Sequence, residues 1–141
     1  MLIITASVSL FSSCRKEGHN DDTCKTDMSH IAGTYKLTAL EYKASASGSG
    51  QDFLQFLDDC EKDDVLVLHA NGAYNYNDMG KVCTPDGSGT GTWSVSDNHL
   101  LTSDNSMLKG IVSSFDCKVL VYYVSGVYTT GDTLTYTMTR Q

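Results

Sequence analysis

The segment "DTLTYTMTR", residues 132 to 140, has the most regular pattern in the chain and decides the fold class. Leu134, Tyr136 and Met138 alternate with four threonines. Because successive side chains of a strand point to opposite faces, this alternation predicts a strand with one buried face and one exposed face. The chain is rich in Thr, Val and Tyr and has one proline, which also favours β structure. The sequence therefore predicts an all-β protein.

A second long strand is predicted near the start of the domain, in "IAGTYKLTALEYK", residues 31 to 43. Tyr35, Leu37 and Ala39 are expected on one face of this strand, with Lys36 and Thr38 on the other. Between residues 51 and 59 the pattern changes, because Phe53, Leu54 and Leu57 recur at helical spacing. One short helix is predicted there, with these three side chains covering an end of the β structure.

Two hairpins are predicted from their turns. Asn71-Gly72 lies between two strand-like runs, where both turn positions favour positive φ, and Asp97-Asn98 marks a second turn. The remaining runs bring the count to about eight antiparallel strands. A meander of this size removes its exposed edges by closing into an up-and-down β-barrel. Such a barrel has room for packed side chains or for one small ligand.

The first residues predict where in the cell the protein is located. The apolar run from Leu2 to Phe11 is too short to span a bilayer and has the length of a signal-peptide core. "LFSSC", residues 10 to 14, resembles the lipobox of bacterial lipoproteins, which implies removal of residues 1–13 and acylation of Cys14. Arg15 follows in place of an inner-membrane retention aspartate, so an outer-membrane location is expected. Residues 14–29 are polar and are predicted to form a flexible tether, and residues 30–141 form the domain.

The four remaining cysteines, an even number, are expected to form two disulfides in an oxidising compartment. Three pairings are possible. The hairpin predicted between residues 60 and 83 favours Cys60 with Cys83, which leaves Cys24 with Cys117. No pair has the C-x-x-C spacing of a zinc ribbon or a thioredoxin-type site.

Charge and motifs exclude several classes of function. The net charge is −7, from 17 acidic and 10 basic residues, and no cluster of Lys and Arg offers a face for nucleic acid. An acidic run at residues 58–64 has the ligand type that calcium prefers but lacks an EF-hand loop, and a solvated acidic corner explains it better. No motif indicates a nucleotide or a catalytic nucleophile. We expect no metal, no cofactor and no enzymatic activity.

Several segments together resemble a known family. "IAGTYKLTALEY" is similar to the Gly-x-Trp strand of lipocalins, with Tyr35 in place of Trp. "CEKDDVLVLHANGAY", "CTPDGSGTGTWSVSDNHLLTS" and "DTLTYTMT" follow in the order seen in the lipocalin-like domain of Bacteroidetes lipoproteins. The resemblance covers about residues 30 to 140. It implies a lipocalin-like barrel in which Cys60 and Cys83 are bridged.

Two functions remain open. In the first, the barrel holds a small apolar or glycan-like molecule, because aromatic side chains lining a barrel mouth suit such ligands. In the second, side chains fill the barrel, and its loops or exposed sheet bind another envelope protein. An empty interior favours the first, and a filled interior with an exposed aromatic patch favours the second. The candidate ligand-binding residues are Tyr35, His69, Tyr74, Tyr76, Trp93 and Tyr136.

Overall fold

The computed structural model describes residues 24–103 and 109–141. Cys14 and most of the predicted tether therefore lie outside the described residues. Two four-residue helices, α1 (Met28–Ile31) and α2 (Asp59–Lys62), and a 3-10 helix (Leu54–Phe56) accompany nine strands. The strands are β1 (Gly33–Lys43), β2 (Gln51–Asp52), β3 (Val65–Leu68), β4 (Ala73–Asn77), β5 (Gly89–Ser96), β6 (His99–Thr102), β7 (Gly110–Phe115), β8 (Val119–Ser125) and β9 (Thr133–Arg140).

The strands form a closed antiparallel barrel. From β3 to β9 each strand pairs with the next along the chain, and β1 pairs with both β3 and β9. Eight strands thus complete the ring, while the two-residue β2 extends the end of β1. The predicted eight-stranded up-and-down barrel is confirmed.

A β-bulge in β1 changes which of its side chains face inward. Leu37 pairs with Met138 and Ala39 with Thr137, so Thr38 has no partner in the register. The extra residue reverses the alternation, because side-chain direction in a strand has a period of two. Ala39 is therefore exposed and Leu40 is buried. The prediction that Ala39 shares the face of Tyr35 is wrong.

Both predicted hairpins are present, and they differ in their turns. Asp97 and Asn98 have φ of 49° and 62°, as a two-residue turn requires. The β3–β4 connection is longer: the N–H of Gly72 donates to the carbonyl of His69 at 3.0 Å. Gly72 has a φ of +88°, but Asn71 lies outside the positive-φ region. The side chain of Asn71 instead accepts the N–H of Ala73 at 3.0 Å.

The short helix predicted near residues 51–59 is present as the 3-10 helix, which covers only three residues of that range. The segment begins as strand β2, continues as the 3-10 helix and ends where α2 starts. Pairing of β2 with β1 competes with helix formation, because it satisfies backbone groups of Gln51 and Asp52. The inward face was correctly identified, since Phe53, Leu54 and Leu57 pack against the core.

Side chains fill the barrel. Every one of the eight barrel strands contributes at least one buried apolar side chain, and α1 adds another. Tyr122 and Tyr136 are partners on the adjacent strands β8 and β9, and their rings stack inside the barrel with centroids 4.9 Å apart and an angle of 5° between them. The buried apolar residues are Ile31, Tyr35, Leu40, Leu66, Leu68, Tyr74, Trp93, Leu100, Val112, Leu120, Tyr122, Leu134, Tyr136 and Met138.

One end of the barrel, here called the closed end, is sealed by α1 and the last residues of β9. The side chain of Ile31 is fully buried there, and the Tyr35 hydroxyl donates to the Ile31 carbonyl at 2.7 Å. Arg140 Nη2 donates to the carbonyl of Ala32 at 3.0 Å and to the Tyr35 hydroxyl at 2.9 Å. The Arg140 guanidinium also lies over the Tyr35 ring, 5.4 Å from its centroid. A single cation therefore satisfies carbonyls that the short helix leaves free.

Two disulfides fasten the connections to the barrel. They join Cys24 to Cys117 at the closed end and Cys60 to Cys83 at the opposite end, which are the two pairs that the sequence favoured. Residues 24–29, assigned to the tether from sequence, are held against the closed end by the first bond and by α1. No helix in the described ranges is long and apolar enough to cross a membrane.

Removal of either disulfide is expected to destabilise the domain, and the Cys24–Cys117 bond should matter more. The two bonds span 93 and 23 residues. Chain entropy assigns about 5 kcal/mol to the longer loop and about 3 kcal/mol to the shorter. Urea denaturation of Cys24→Ala/Cys117→Ala and Cys60→Ala/Cys83→Ala measures both losses. A larger loss for the Cys60–Cys83 pair would contradict this order.

Candidate functional site

Four aromatic rings lie together at the end opposite α1, here called the loop end because loops 44–50, 78–88 and 126–132 meet there. Tyr42 at the end of β1 stacks on Phe53, with centroids 4.8 Å apart. Tyr128 packs edge-on against Tyr42 at 5.4 Å, and Phe56 packs edge-on against Phe53 at 5.5 Å. We call Tyr42, Phe53, Phe56 and Tyr128 the aromatic cluster.

The outer half of the aromatic cluster faces solvent. Phe56 is 71% exposed and Tyr128 is 64% exposed, although both belong to a connected stack. Val127, the neighbour of Tyr128, is also exposed. Tyr42 and Phe53 form the inner half and pack against the core. The aromatic cluster is thus continuous from the barrel interior to the surface.

Asp132 fixes the part of the aromatic cluster that comes from loop 126–132. Its carboxylate is fully buried and accepts the N–H groups of Val127, Tyr128 and Thr129 at 2.8, 2.9 and 2.8 Å. The Tyr42 hydroxyl donates to the same carboxylate at 3.2 Å. Burial alone would raise the pKa of Asp132, but the three backbone N–H groups and Tyr42 outweigh it and hold the pKa below its ordinary value.

Three further aspartates hold loop 78–88 at the same end. Asp64 accepts the N–H of Met79 at 3.1 Å, and Asp63 accepts the N–H of Lys81 at 3.0 Å. Asp78 accepts the N–H of Cys83 at 2.9 Å. These carboxylates therefore organise the loop that carries Cys83.

The acidic residues of the run at positions 58–64 make structural hydrogen bonds within the described residues. Burial raises the pKa of Asp64. The hydrogen bonds that this carboxylate accepts from Tyr76 and from the N–H of Met79 lower the pKa, but burial has the larger effect. Asp58 and Glu61 form a reciprocal capping box at the start of α2. Within residues 24–103 and 109–141, no three His, Cys, Asp or Glu side chains are grouped to bind a metal ion.

Four of the six predicted ligand-binding residues belong to the packed interior. They point inward, as expected, but their surfaces are covered by neighbouring core side chains instead of lining an open space. Trp93 Nε1 donates to the His69 carbonyl at 2.9 Å, which satisfies its one polar group. These four residues are Tyr35, Tyr74, Trp93 and Tyr136.

The other two predicted residues have different surroundings. His69 is exposed and its Nε2 lies 2.7 Å from Asn75 Oδ1, so it is a hydrogen-bonded histidine outside the barrel. The buried residues of β3 are Leu66 and Leu68. His69 comes one position after Leu68, so its side chain points to the opposite face. Tyr76 is half-buried. The pKa of its hydroxyl is raised, mainly by burial and also by the hydrogen bond to Asp64. The structure therefore does not bring the six residues together in one site.

An open groove of about 380 Å³ lies on the barrel wall where β6 meets β7. Leu101 and Lys109 border it, next to residues 104–108, which are not described. The β6–β7 pairing is short, with His99 opposite Ile111 and Leu100 opposite Gly110. The groove contains none of the aromatic cluster.

Sequence reasoning found only part of the aromatic cluster. Phe53 was expected to cover a barrel end, which it does, but Tyr128 was not among the candidate ligand-binding residues. Phe56 shows no distinguishing pattern, because its exposure results from the 3-10 turn. Asp132 is followed directly by the alternating strand β9, yet nothing in "GVYTTGD" indicates that three N–H groups converge on it.

The Asp132 interactions predict a pH dependence. A carboxylate whose folded pKa lies below its unfolded pKa contributes stability above the unfolded pKa, and that contribution is lost as the pH falls through the folded pKa. Asp132→Asn should therefore lower the free energy of unfolding near neutral pH, and the difference from the unmodified protein should shrink below about pH 4. Urea denaturation at several pH values measures it.

The control is Asp97→Asn, which removes the same charge from an exposed turn whose positive φ asparagine tolerates. The free energy of unfolding of Asp97→Asn should differ little from that of the unmodified protein at every pH. A loss in Asp132→Asn that grows as the pH falls would contradict the role assigned to this carboxylate.

Comparison with protein families agrees with this architecture. The model of a lipocalin-like domain matches residues 31–136, from the end of α1 into β9. Comparisons with curated proteins and with solved structures find no match. The matched region includes most of the barrel and all of the aromatic cluster, and the chain therefore belongs to the lipocalin-like domain family.

Proposed function

We propose that this chain is a non-enzymatic binding domain of the bacterial cell envelope, in which a filled barrel supports an external binding surface formed by the aromatic cluster. The observation that carries the proposal is the combination of a packed interior with exposed Phe56 and Tyr128. Of the two functions left open by the sequence, this combination favours an adaptor or inhibitor domain over a carrier of an internal ligand.

The packed interior argues against an internal small-molecule site. An eight-stranded barrel is only wide enough for its own side chains or one small ligand. Here the rings of Tyr122 and Tyr136, which are paired on the adjacent strands β8 and β9, stack inside the barrel, and Trp93 and Leu100 from other strands are also buried. A ligand would have to displace these rings and lose the packing that they provide.

The exposed rings support an external surface. Large apolar side chains grouped at the surface of a monomer mark binding sites more often than isolated ones do. Phe56 and Tyr128 both pack against Phe53, and Val127 precedes Tyr128 in the chain. Tyr42 and the hydrogen bonds to Asp132 support the Tyr128 side of this surface. A preformed aromatic surface loses little conformational entropy on binding.

The buried carboxylates support a non-enzymatic role. Asp64 and Asp132 both accept hydrogen bonds from backbone N–H groups, which is a structural role. Lipocalin-like domains are in general non-enzymatic.

The envelope location is part of the proposal and depends on "LFSSC". Acylation at Cys14 with two or more chains would give stable membrane attachment, whereas a single chain binds marginally. Nine residues, 15–23, then separate the lipid from Cys24. The absence of an aspartate after Cys14 supports the outer membrane.

Phe53 and Phe56 form a matched pair that tests the filled barrel. Phe53→Ala should lower the free energy of unfolding by about 2 to 3 kcal/mol, because its ring packs against the core. Phe56→Ala should change it by less than about 0.5 kcal/mol, because most of this ring is already in water. Urea denaturation gives both values, and titration with an apolar fluorescent probe shows whether either change opens a cavity.

Neither variant is expected to bind the probe inside the barrel. Saturable, micromolar binding of the probe to the unmodified protein that Phe56→Ala leaves unchanged would contradict the filled barrel and restore an internal ligand as the better function.

Cys14→Ala tests the membrane anchor. This variant should move from the membrane fraction to the soluble fraction of lysed cells, because acylation requires the thiol. Arg15→Ala is the control, since it alters the tether without removing the lipid site, and should stay with the membranes. Retention of Cys14→Ala in the membrane fraction would refute the anchor.

A further inference from the structure

Acidic residues flank Phe53 and Phe56 of the aromatic cluster in the sequence, and we call them its acidic border. Asp52 directly precedes Phe53, and Asp58 and Asp59 follow Phe56 within three residues. All three aspartates are exposed. Glu61, one turn further on, is exposed as well.

Most of this negative charge is not neutralised by the protein itself. Lys62 lies 3.4 Å from Asp59, and that pair is the one salt bridge formed by these four acids in the described ranges. The Asp52 carboxylate accepts the N–H of Leu54 at 2.9 Å, and Asp58 belongs to the capping box of α2, so neither has a cationic partner in the described ranges. An apolar patch with an acidic border favours a partner that brings positive charge beside its own apolar groups.

The tether enters the domain at the end opposite the patch. Cys24 is bonded to Cys117 at the closed end, while the aromatic cluster lies at the loop end. Strand β9, with eight residues, is about 26 Å long at 3.3 Å per residue and connects the two ends. Given the proposed anchor at Cys14, the chain reaches the domain at the closed end, and the length of the barrel separates that point from the patch.

We propose that the aromatic cluster and its acidic border bind a polypeptide segment that carries apolar side chains flanked by lysine or arginine. The proposal rests on the proposed function and names the class of its partner. Phe56, Tyr128 and Val127 supply the apolar contact. Asp52, Asp58 and Glu61 supply the charge that positions the segment.

Other occupants fit these observations less well. An anionic membrane surface would be repelled by the acidic border. Nucleic acid is repelled for the same reason. A neutral glycan could stack on Phe56 and Tyr128 but would leave the acidic border without a role.

Photo-crosslinking in cells that make the full chain tests the proposal. Phe56 is replaced by the photoreactive p-benzoylphenylalanine, and Leu101, an exposed apolar residue on the barrel wall, is replaced in the same way as the control. Irradiation should give an adduct at position 56 that the Leu101 control lacks. Mass spectrometry of the adduct should identify a polypeptide with Lys or Arg next to the attached residue.

Charge dependence is measured with two matched double variants. Asp52→Asn/Asp58→Asn removes two charges from the border, keeps the helix cap and should lower the adduct yield about fivefold. Asp97→Asn/Asp116→Asn removes two exposed charges at the closed end and should leave the yield unchanged. Adding about 0.5 M salt before irradiation, where the Debye length is about 4 Å, should mimic the first variant.

The outcomes separate this inference from the proposed function. An adduct at position 56 with a lipid, a glycan or a segment without basic residues overturns the inference but leaves a binding surface at the aromatic cluster. An adduct whose yield is equal in both double variants also overturns it. Absence of any adduct specific to position 56 overturns both proposals.

Discussion

The pairing of β1 with β9 is the constraint on which the rest of the structure depends. It closes an eight-stranded ring, and a ring of this size leaves a lumen that side chains can fill completely. The β-bulge at Thr38 adjusts the closing strand, so that Leu40 and Tyr42 face inward beyond it. The lumen is then occupied by the buried side chains of the barrel strands and of α1.

At each end of the barrel, one charged side chain satisfies several backbone groups, and the two charges have opposite sign. At the closed end, carbonyls left free by the short helix α1 converge on one cation, Arg140. At the loop end, N–H groups of the last loop converge on one anion, Asp132. Asp132 is buried and Arg140 is half-buried, and several hydrogen bonds to each charge offset the cost of removing it from water. The first arrangement seals an end, whereas the second holds Val127 and Tyr128 at the surface.

Local patterns predicted what depends on local sequence. The alternation in β9 and the Asp97-Asn98 turn follow from strand periodicity and positive φ, and both were predictable. The bulge at Thr38 was not, because it is set by the register with β9, about 100 residues away. For the same reason Ala39 was placed on the wrong face. Inward direction was predictable for Trp93 and Tyr136, but whether they line a cavity depends on packing from opposite walls.

The aromatic cluster joins the stability of the barrel to its proposed function. Tyr42 and Phe53 belong to the core, and the stack continues outward to Phe56 and Tyr128, which stabilise the interior little. Burying the charge of Asp132 would be costly without its four donors, and three of these donors belong to the loop that carries Tyr128. The fold therefore fixes the conformation of a surface ring in advance, which lowers the entropic cost of binding a partner there.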